Sequence, residues 1–277
     1  MTELAELVAE PAATARYGAG AEAPTIVTDE HGVIPVLLGH RSVRTFAPTP
    51  IGEDVVQTLV AAAQSASTSS NLQTWSIITV TDPAHKDRVA TLAGDQDFIR
   101  DAPVFLVFIA DWARGRAIAT AAGTGSEGID FLDSTLVAVI DAAIAAQNAV
   151  VAAEALGLGA VYVGAVRNNP AELSALLELP AGSFPAVGVA IGHAREDIPT
   201  AVKPRLPQSV VRHSETYRAA AADEIDAYDG TLRAHYDRQG RARGWTDAVI
   251  ERVRSADALH GREALRGVLH ERGLSSR

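Results

Sequence analysis

Arginine, lysine and hydroxyl side chains gather at two places in this 277-residue chain where they are suited to grip an anion. His40, Arg41, Ser42 and Arg44 form the first cluster, just before Phe46 and the turn at Pro48 and Pro50. Lys203 and Arg205 form the second, in a stretch that Pro204 and Pro207 hold extended, so that both charges can be aimed the same way. Guanidinium groups hold phosphate through bidentate, charge-assisted hydrogen bonds. Lys203 and Lys86 are the only lysines in the chain. Taken alone, each cluster is also what an ordinary solvated loop looks like.

A third segment, from Ser67 through Thr68, Ser69, Ser70 and Asn71 to Gln73, offers hydroxyls and amides at the expected C-terminal end of a helix. These suit a polar heterocycle or a sugar-like chain, although helix ends also collect such residues as caps. The run from Gly157 to Gly164 resembles a nucleotide fingerprint but fails the test, because its glycines precede a strand and their spacing is wrong. It reads as a helix C-cap at Gly157 feeding a buried strand, with Gly164 allowing close approach to its backbone. The absence of cysteine excludes disulfides, thiolate metal sites and a cysteine nucleophile. The histidines are scattered without metal-ligand spacing, so no metal site is expected, and there is no Gly-x-Ser-x-Gly elbow.

The elements that must position these residues follow from periodicity. Asp54 to Gln64 has Val55, Val56, Leu59 and Val60 spaced for a helix, with Gly52 just before it. Strands are predicted at Trp75–Thr81, Pro103–Ala110, Ala160–Gly164 and Phe184–Ile191, and helices near Pro83–Leu92, Leu132–Leu156 and Pro170–Leu177. This mixed order predicts an α+β fold with a sheet covered by helices. Glu215 to Gly273 reads as mostly helical, broken near Gly240 and Gly244, and residues 1 to 35 as a loosely packed extension with room for one short helix.

A formal charge of -10 and a pI near 5.3 argue against binding nucleic acid, which needs basic residues to neutralise phosphates. The N-terminus, with Glu3, Glu6 and Glu10, does not read as a signal peptide, so the expected address is the cytoplasm. Leu136 to Leu156 approaches the length of a membrane span. Asp141 and Glu154 interrupt it, however, and a central Asp costs roughly 2.5 to 3.5 kcal/mol on insertion scales. A buried central helix is the better reading, with alanine faces that suit a core or a dimer interface.

Taken in order, HRSVR at 40–44, STSSNLQ at 67–73, Gln96, YVGAVRNNP at 162–170 and KPRLP at 203–207 resemble the oxygen-insensitive NADPH nitroreductases and their flavin reductase relatives. The similarity begins near Leu38, leaving residues 1–37 as an extension ahead of an FMN-binding domain at 38–277. The resemblance implies a nitroreductase-like fold, a central mixed sheet flanked by helices in an intertwined homodimer. It implies an FMN-dependent enzyme that takes hydride from NADPH or NADH and passes it, by ping-pong kinetics, to nitroaromatics, quinones or flavins, or supplies free reduced flavin to a partner. A flavin-binding protein without turnover is the reading from a different class.

The FMN phosphate would lie near His40, Arg41, Ser42, Arg44, Lys203 and Arg205. Thr68, Ser69 and Ser70 would meet the flavin across a dimer interface, and Gln96 would bond the ribityl chain or ring edge. Tyr162, Val163, Gly164 and Ala165 would lie along the ring, with a backbone N–H near Gly164 facing flavin N5. By the same resemblance Arg238, Arg241 and Arg243 are candidates to read the extra phosphate of NADPH. Two departures stand out: relatives often carry an aromatic where Asn71 stands, and the loop from Tyr236 to Trp245 is shorter here.

Overall fold

A computed structural model describes residues 32–198 and 200–274, so the expected extension falls mostly outside the described residues. In chain order the elements are α1 (Val33–Gly39), α2 (Glu53–Gln64), β1 (Trp75–Val80), α3 (Pro83–Leu92), α4 (Asp97–Asp101), β2 (Val104–Asp111), α5 (Ala113–Ala121), α6 (Leu132–Ala155), β3 (Gly159–Val163), α7 (Pro170–Leu176), β4 (Ser183–Gly192), α8 (Gln208–Val211), α9 (Ala222–Asp237), α10 (Trp245–Val253) and α11 (Leu265–Glu271). They fall into two compact units, residues 42–198 with 259–274, and residues 32–41 with 200–258.

The first unit is built on a four-stranded sheet in the order β1-β2-β4-β3. β2 is buried along its whole length and β4 nearly so, which is why both read as continuous apolar runs. α2 and α6 cover one face, burying Leu59, Ala142, Ala145 and Ala149 against Leu106, Phe108, Val189 and Ile191. On the other face Val89 of α3, Ile99 of α4 and Leu173 of α7 join Phe105, Val107, Ile109, Val161 and Val163 in a second core. The alternation along β2 and β3 is the period-2 signature of a sheet buried on both sides.

The expected mixed sheet is corrected on one point: its three ladders are all antiparallel. β2 and β3 do run the same way, joined through the α6 crossover, but β4 enters between them and pairs antiparallel with both. Parallel pairing is confined to the isolated bridge between Ser42 and Ala160.

Helix α6 is the central helix that its composition foretold. It buries Ala138, Asp141, Ala142, Ala145, Ala146, Ala149 and Ala153. Its opposite side carries Leu132, Leu136, Ile140 and Ile144 at four-residue spacing, between 39% and 54% exposed. Gly157, at φ 77, ends it as a left-handed C-cap, with the Leu158 N–H donating to the Ala153 carbonyl at 2.9 Å. In the second unit, Asp229 joins α9 to α10. Its carboxylate accepts from the Thr246 N–H at 2.8 Å, the Thr246 hydroxyl at 2.9 Å and Arg233 Nε at 2.6 Å. The Thr246 N–H first, and then Arg233 and the Thr246 hydroxyl, hold the Asp229 carboxyl down at about 2 against the effect of desolvation.

Candidate functional site

The polar segment after α2 is not a simple cap. Ser69, Ser70, Asn71, Leu72 and Gln73 are exposed, and Ser70, Asn71 and Gln73 have φ of 49, 57 and 52°, in the left-handed region that L residues with side chains rarely enter. What holds this shape lies underneath. Asp141, 2% exposed in the middle of α6, accepts from the Thr68 hydroxyl at 2.5 Å, the Ser69 N–H at 3.1 Å, the Thr74 N–H at 3.2 Å and the Thr74 hydroxyl at 2.9 Å. Thr68 Oγ1 in turn accepts from the Gln73 N–H at 2.9 Å. The Thr68 hydroxyl is thereby committed inside the protein, whereas Ser69 and Ser70 face outward. Burial alone would push the Asp141 carboxyl up, but hydrogen bonds from Thr68, Ser69 and Thr74 bring it below the usual carboxylate range.

A second constellation forms at the end of β3. Gly94, at φ 82, lies so that a Cβ there would meet Asn168 Nδ2 at 3.3 Å, Gln96 Nε2 at 3.6 Å and Ala165 Cβ at 3.7 Å. Gln96 is therefore brought near Ala165, and its Nε2 donates to the Ala93 carbonyl at 2.9 Å. Ser42 bridges Ala160 near the start of the same strand, and the Val43 N–H donates to the Ala160 carbonyl at 3.0 Å. From Ala160 to Gly164 the strand rise amounts to roughly 13 Å. The Ser42 bridge and the strand end at Gly164 thus lie at opposite ends of β3.

The residues at 162–165 are not equivalent. Tyr162 faces α6, donating its hydroxyl to Gln147 Oε1 at 3.1 Å, whereas Val163 is buried in the core on the other face. Burial, followed by the charge of Glu154, pushes the Tyr162 hydroxyl pKa up. These two side chains cannot both flank one ligand, so only backbone groups can line a ring here. β3 is an edge strand, which leaves such groups available beyond the Ser42 bridge. A Cβ on Gly164 would meet Arg167 Nη2 at 3.3 Å, the far end of a side chain that also donates to the Ala186 carbonyl.

In the second unit Arg41 Nε donates to Thr200 Oγ1 at 2.9 Å. Lys203 Nζ lies 5.9 Å from the centre of the Tyr236 ring. The Tyr228 hydroxyl donates to the Pro204 carbonyl at 3.1 Å and so fixes the proline-bracketed stretch against α9. Burial, then the charges of Arg238 and Lys203, hold the imidazolium form of His235 down, so the end of α9 is a positive neighbourhood. Of the three loop arginines, Arg243 is ion-paired with Glu251. Neither Arg238 nor Arg241 has an acidic partner among the described residues.

With this geometry in place, comparison with known proteins is decisive. A model described as "Nitroreductase family" matches residues 37–193, and one described as "Nitroreductase family, C-terminal domain" matches residues 203–277. The chain belongs to the nitroreductase family. It is 39% identical over 206 residues to an NADPH-flavin oxidoreductase of Vibrio harveyi, covering 74% of this chain and 83% of that protein. It is 39% identical over 239 residues to an FMN reductase [NAD(P)H] of Bacillus subtilis, covering 84% and 95%. Among solved structures, B. megaterium NfrA2 superposes with a TM-score of 0.84 at 33% identity, over 88% of this chain and 98% of that one.

Within this family member, reading the sequence for function passed over three residues that the structure brings forward. Asp141 registered only as an obstacle to membrane insertion; a carboxylate amid alanines on a buried helix was itself the signal. Gly94 and Asn168 complete the cradle beside Gln96. Asn168 stood within the quoted motif, but nothing in its spacing tied it to Gly94.

Proposed function

We propose that the chain is an FMN-dependent NAD(P)H oxidoreductase that reduces nitroaromatics, quinones or free flavin. The observation that carries the reading is the cradle at the end of β3. There Gly94 has no side chain that would crowd Asn168, and the amides of Gln96 and Asn168, oriented by the Ala93 carbonyl and Arg262 Nε, gather beside Ala165 and the edge of β3. Side-chain amides beside an edge strand fit the donors and acceptors along a flavin rim. The basic and hydroxyl residues of the flanking motifs fit a single terminal phosphate.

His40, Arg41, Ser42, Arg44, Lys203 and Arg205 would hold the phosphate, an assignment that rests on their match to the family's motifs. Gln96 and the backbone of Val163, Gly164 and Ala165 would hold the ring edge, while Tyr162 supports the strand from its α6 side. Ser69 and Ser70 would face the flavin of a second subunit, and Thr68 would fix their loop. When bound, FMN supplies the hydride chemistry, so no side chain need act as acid or base. The chain's own contribution is binding, orientation and exclusion of water.

Arg238 and Arg241, which lack acidic partners among the described residues, are the better candidates for the 2′-phosphate of NADPH; Arg243 has its carboxylate already. The apolar stripe Leu132, Leu136, Ile140 and Ile144 on α6 supports a homodimer, since an exposed row of large aliphatic residues is costly in water. We place the dimer in the cytoplasm and its FMN-binding domain at residues 38–277. The two relatives named as flavin or FMN reductases favour free flavin among the oxidants.

Purified protein should be yellow and should release FMN, not FAD, on denaturation. Anaerobic mixing with NADPH should bleach it within the turnover time. A colourless protein that cannot be reconstituted with FMN overturns the reading, and a yellow protein that neither NADPH nor NADH bleaches leaves a flavin-binding protein without turnover.

A further inference from the structure

The loop from Ser69 to Gln73 combines two features that ordinary turns lack. Three of its residues hold positive φ without being glycine, and both of its ends are tied to one buried carboxylate, through Thr68 and Ser69 on one side and Thr74 on the other. Burying a carboxylate between an alanine-rich helix and a sheet is expensive unless hydrogen bonds replace its water. Four donors do so here, all from residues 68–74, and three of the four bonds fall on Oδ2. Left-handed backbone in residues with side chains persists only where surrounding structure over-determines it. Two backbone bonds within the loop, from the Asn71 N–H to the Thr68 carbonyl and from the Leu72 N–H to the Ser69 carbonyl, and one from Arg114 Nη2 to the Gln73 carbonyl contribute, but Asp141 is the one group that ties both ends of the loop together from beneath.

We propose that Asp141 is a positioning residue for the flavin site: it presets the Ser69–Gln73 loop in the shape that meets the isoalloxazine ring, acting through Thr68. The proposal rests on the FMN reading above. A carboxylate is required and an amide is not a substitute, since Asn at 141 would turn an NH2 group towards donors on one side or the other. The Thr68 hydroxyl is the transmitting group. It donates to Asp141 and accepts from the Gln73 N–H, so it links the buried charge to the far end of the loop.

Asp141→Asn and Thr68→Val separate this role from a general structural one, since Thr68→Val leaves the Ser69 and Thr74 bonds to Asp141 in place. Apoprotein of wild type and both variants is titrated with FMN, following flavin fluorescence and the visible circular dichroism of the bound ring. Amide hydrogen exchange of residues 69–73 is measured without cofactor. Both variants should bind FMN about tenfold more weakly, the equivalent of one hydrogen bond, with an altered visible dichroism and faster exchange confined to the loop. Wild-type FMN affinity and dichroism in both variants would overturn the proposal whatever their melting temperatures. If Asp141→Asn does not fold, Thr68→Val decides alone. Wild-type protein that binds no FMN overturns the functional reading and the flavin role with it, while faster loop exchange in the variants would still establish the preset loop.

Discussion

Gly159→Ala tests whether the strip carrying Ser42 and Arg44 is held against β3 by close packing. Gly159 is buried at the start of β3, and a Cβ there would lie 2.7 Å from Val43 Cβ and Cγ2 and 2.8 Å from Cγ1. Two effects of opposite sign compete. Replacing Gly by Ala at a backbone conformation that Ala tolerates stabilises by about 0.4 to 1 kcal/mol, through the unfolded chain. Overpacking a filled core costs about 1 to 3 kcal/mol. Val43 is 1% exposed and cannot retreat into solvent, so overpacking wins and the net loss should be about 1 to 2 kcal/mol.

The relief must come from Val43 moving off β3. That would lengthen the bond from its N–H to the Ala160 carbonyl, now 3.0 Å, and carry Ser42 and Arg44 with it. FMN affinity should therefore fall with stability, by about tenfold. Val43→Ala alone removes two methyl groups and should cost about 2 kcal/mol. It clears two of the three close atoms but leaves Cβ in place, so in that background the cost of Gly159→Ala should fall by about half and not vanish. Urea denaturation of the four proteins gives the cycle, and FMN titration gives the affinity. Strict additivity, or a Gly159→Ala protein with wild-type stability and affinity, would refute the packing argument.

Three further outcomes are expected. Arg238→Ala with Arg241→Ala should raise the KM for NADPH about tenfold while barely changing that for NADH, and Arg243→Ala should do less because Glu251 already holds it; steady-state kinetics with both cofactors check this. Ile140→Glu should convert a dimer to a monomer by sedimentation, weakening association at least about a hundredfold by setting unpaired charges in the seam. A wild-type dimer that survives the change would remove α6 from the interface. Asp229, held at about 2 when folded against about 3.9 unfolded, contributes stability that is complete above about pH 4 to 5 and is lost as pH falls towards 2. Urea midpoints of wild type should therefore drop across that window more steeply than those of Asp229→Asn.

Much of the scaffold was legible because its elements bury regular apolar patterns. β2 reads as one apolar run since both its faces are covered, and α2 is periodic since one side packs on the sheet. The short helix α5, ARGRAIATA, buries none of its residues and so shows no stripe to read. α4 is five residues long, too short for a period. The mixed sheet came from the resemblance, and strand direction had no local signal to correct it: only the position of β4 between β2 and β3, unmarked by any local residue, makes every ladder antiparallel.

The candidate site divides along the same line. Basic and hydroxyl groups are chemically conspicuous, so Arg44, Ser69 and Lys203 stood out by type, whereas Gln96 was named only through the family resemblance. Groups that act by holding others show their role only through contacts far apart in sequence. Asp141 lies 73 residues from Thr68, and Gly94 meets Asn168 across a similar separation. Even so, Asp141 left a trace. An ionisable side chain at the centre of an otherwise apolar helix costs too much to be retained without partners. Its partners all come from Thr68 to Thr74. The apolar helix shows that its carboxylate must find donors, but only the fold shows that they come from the loop 67 to 73 residues away.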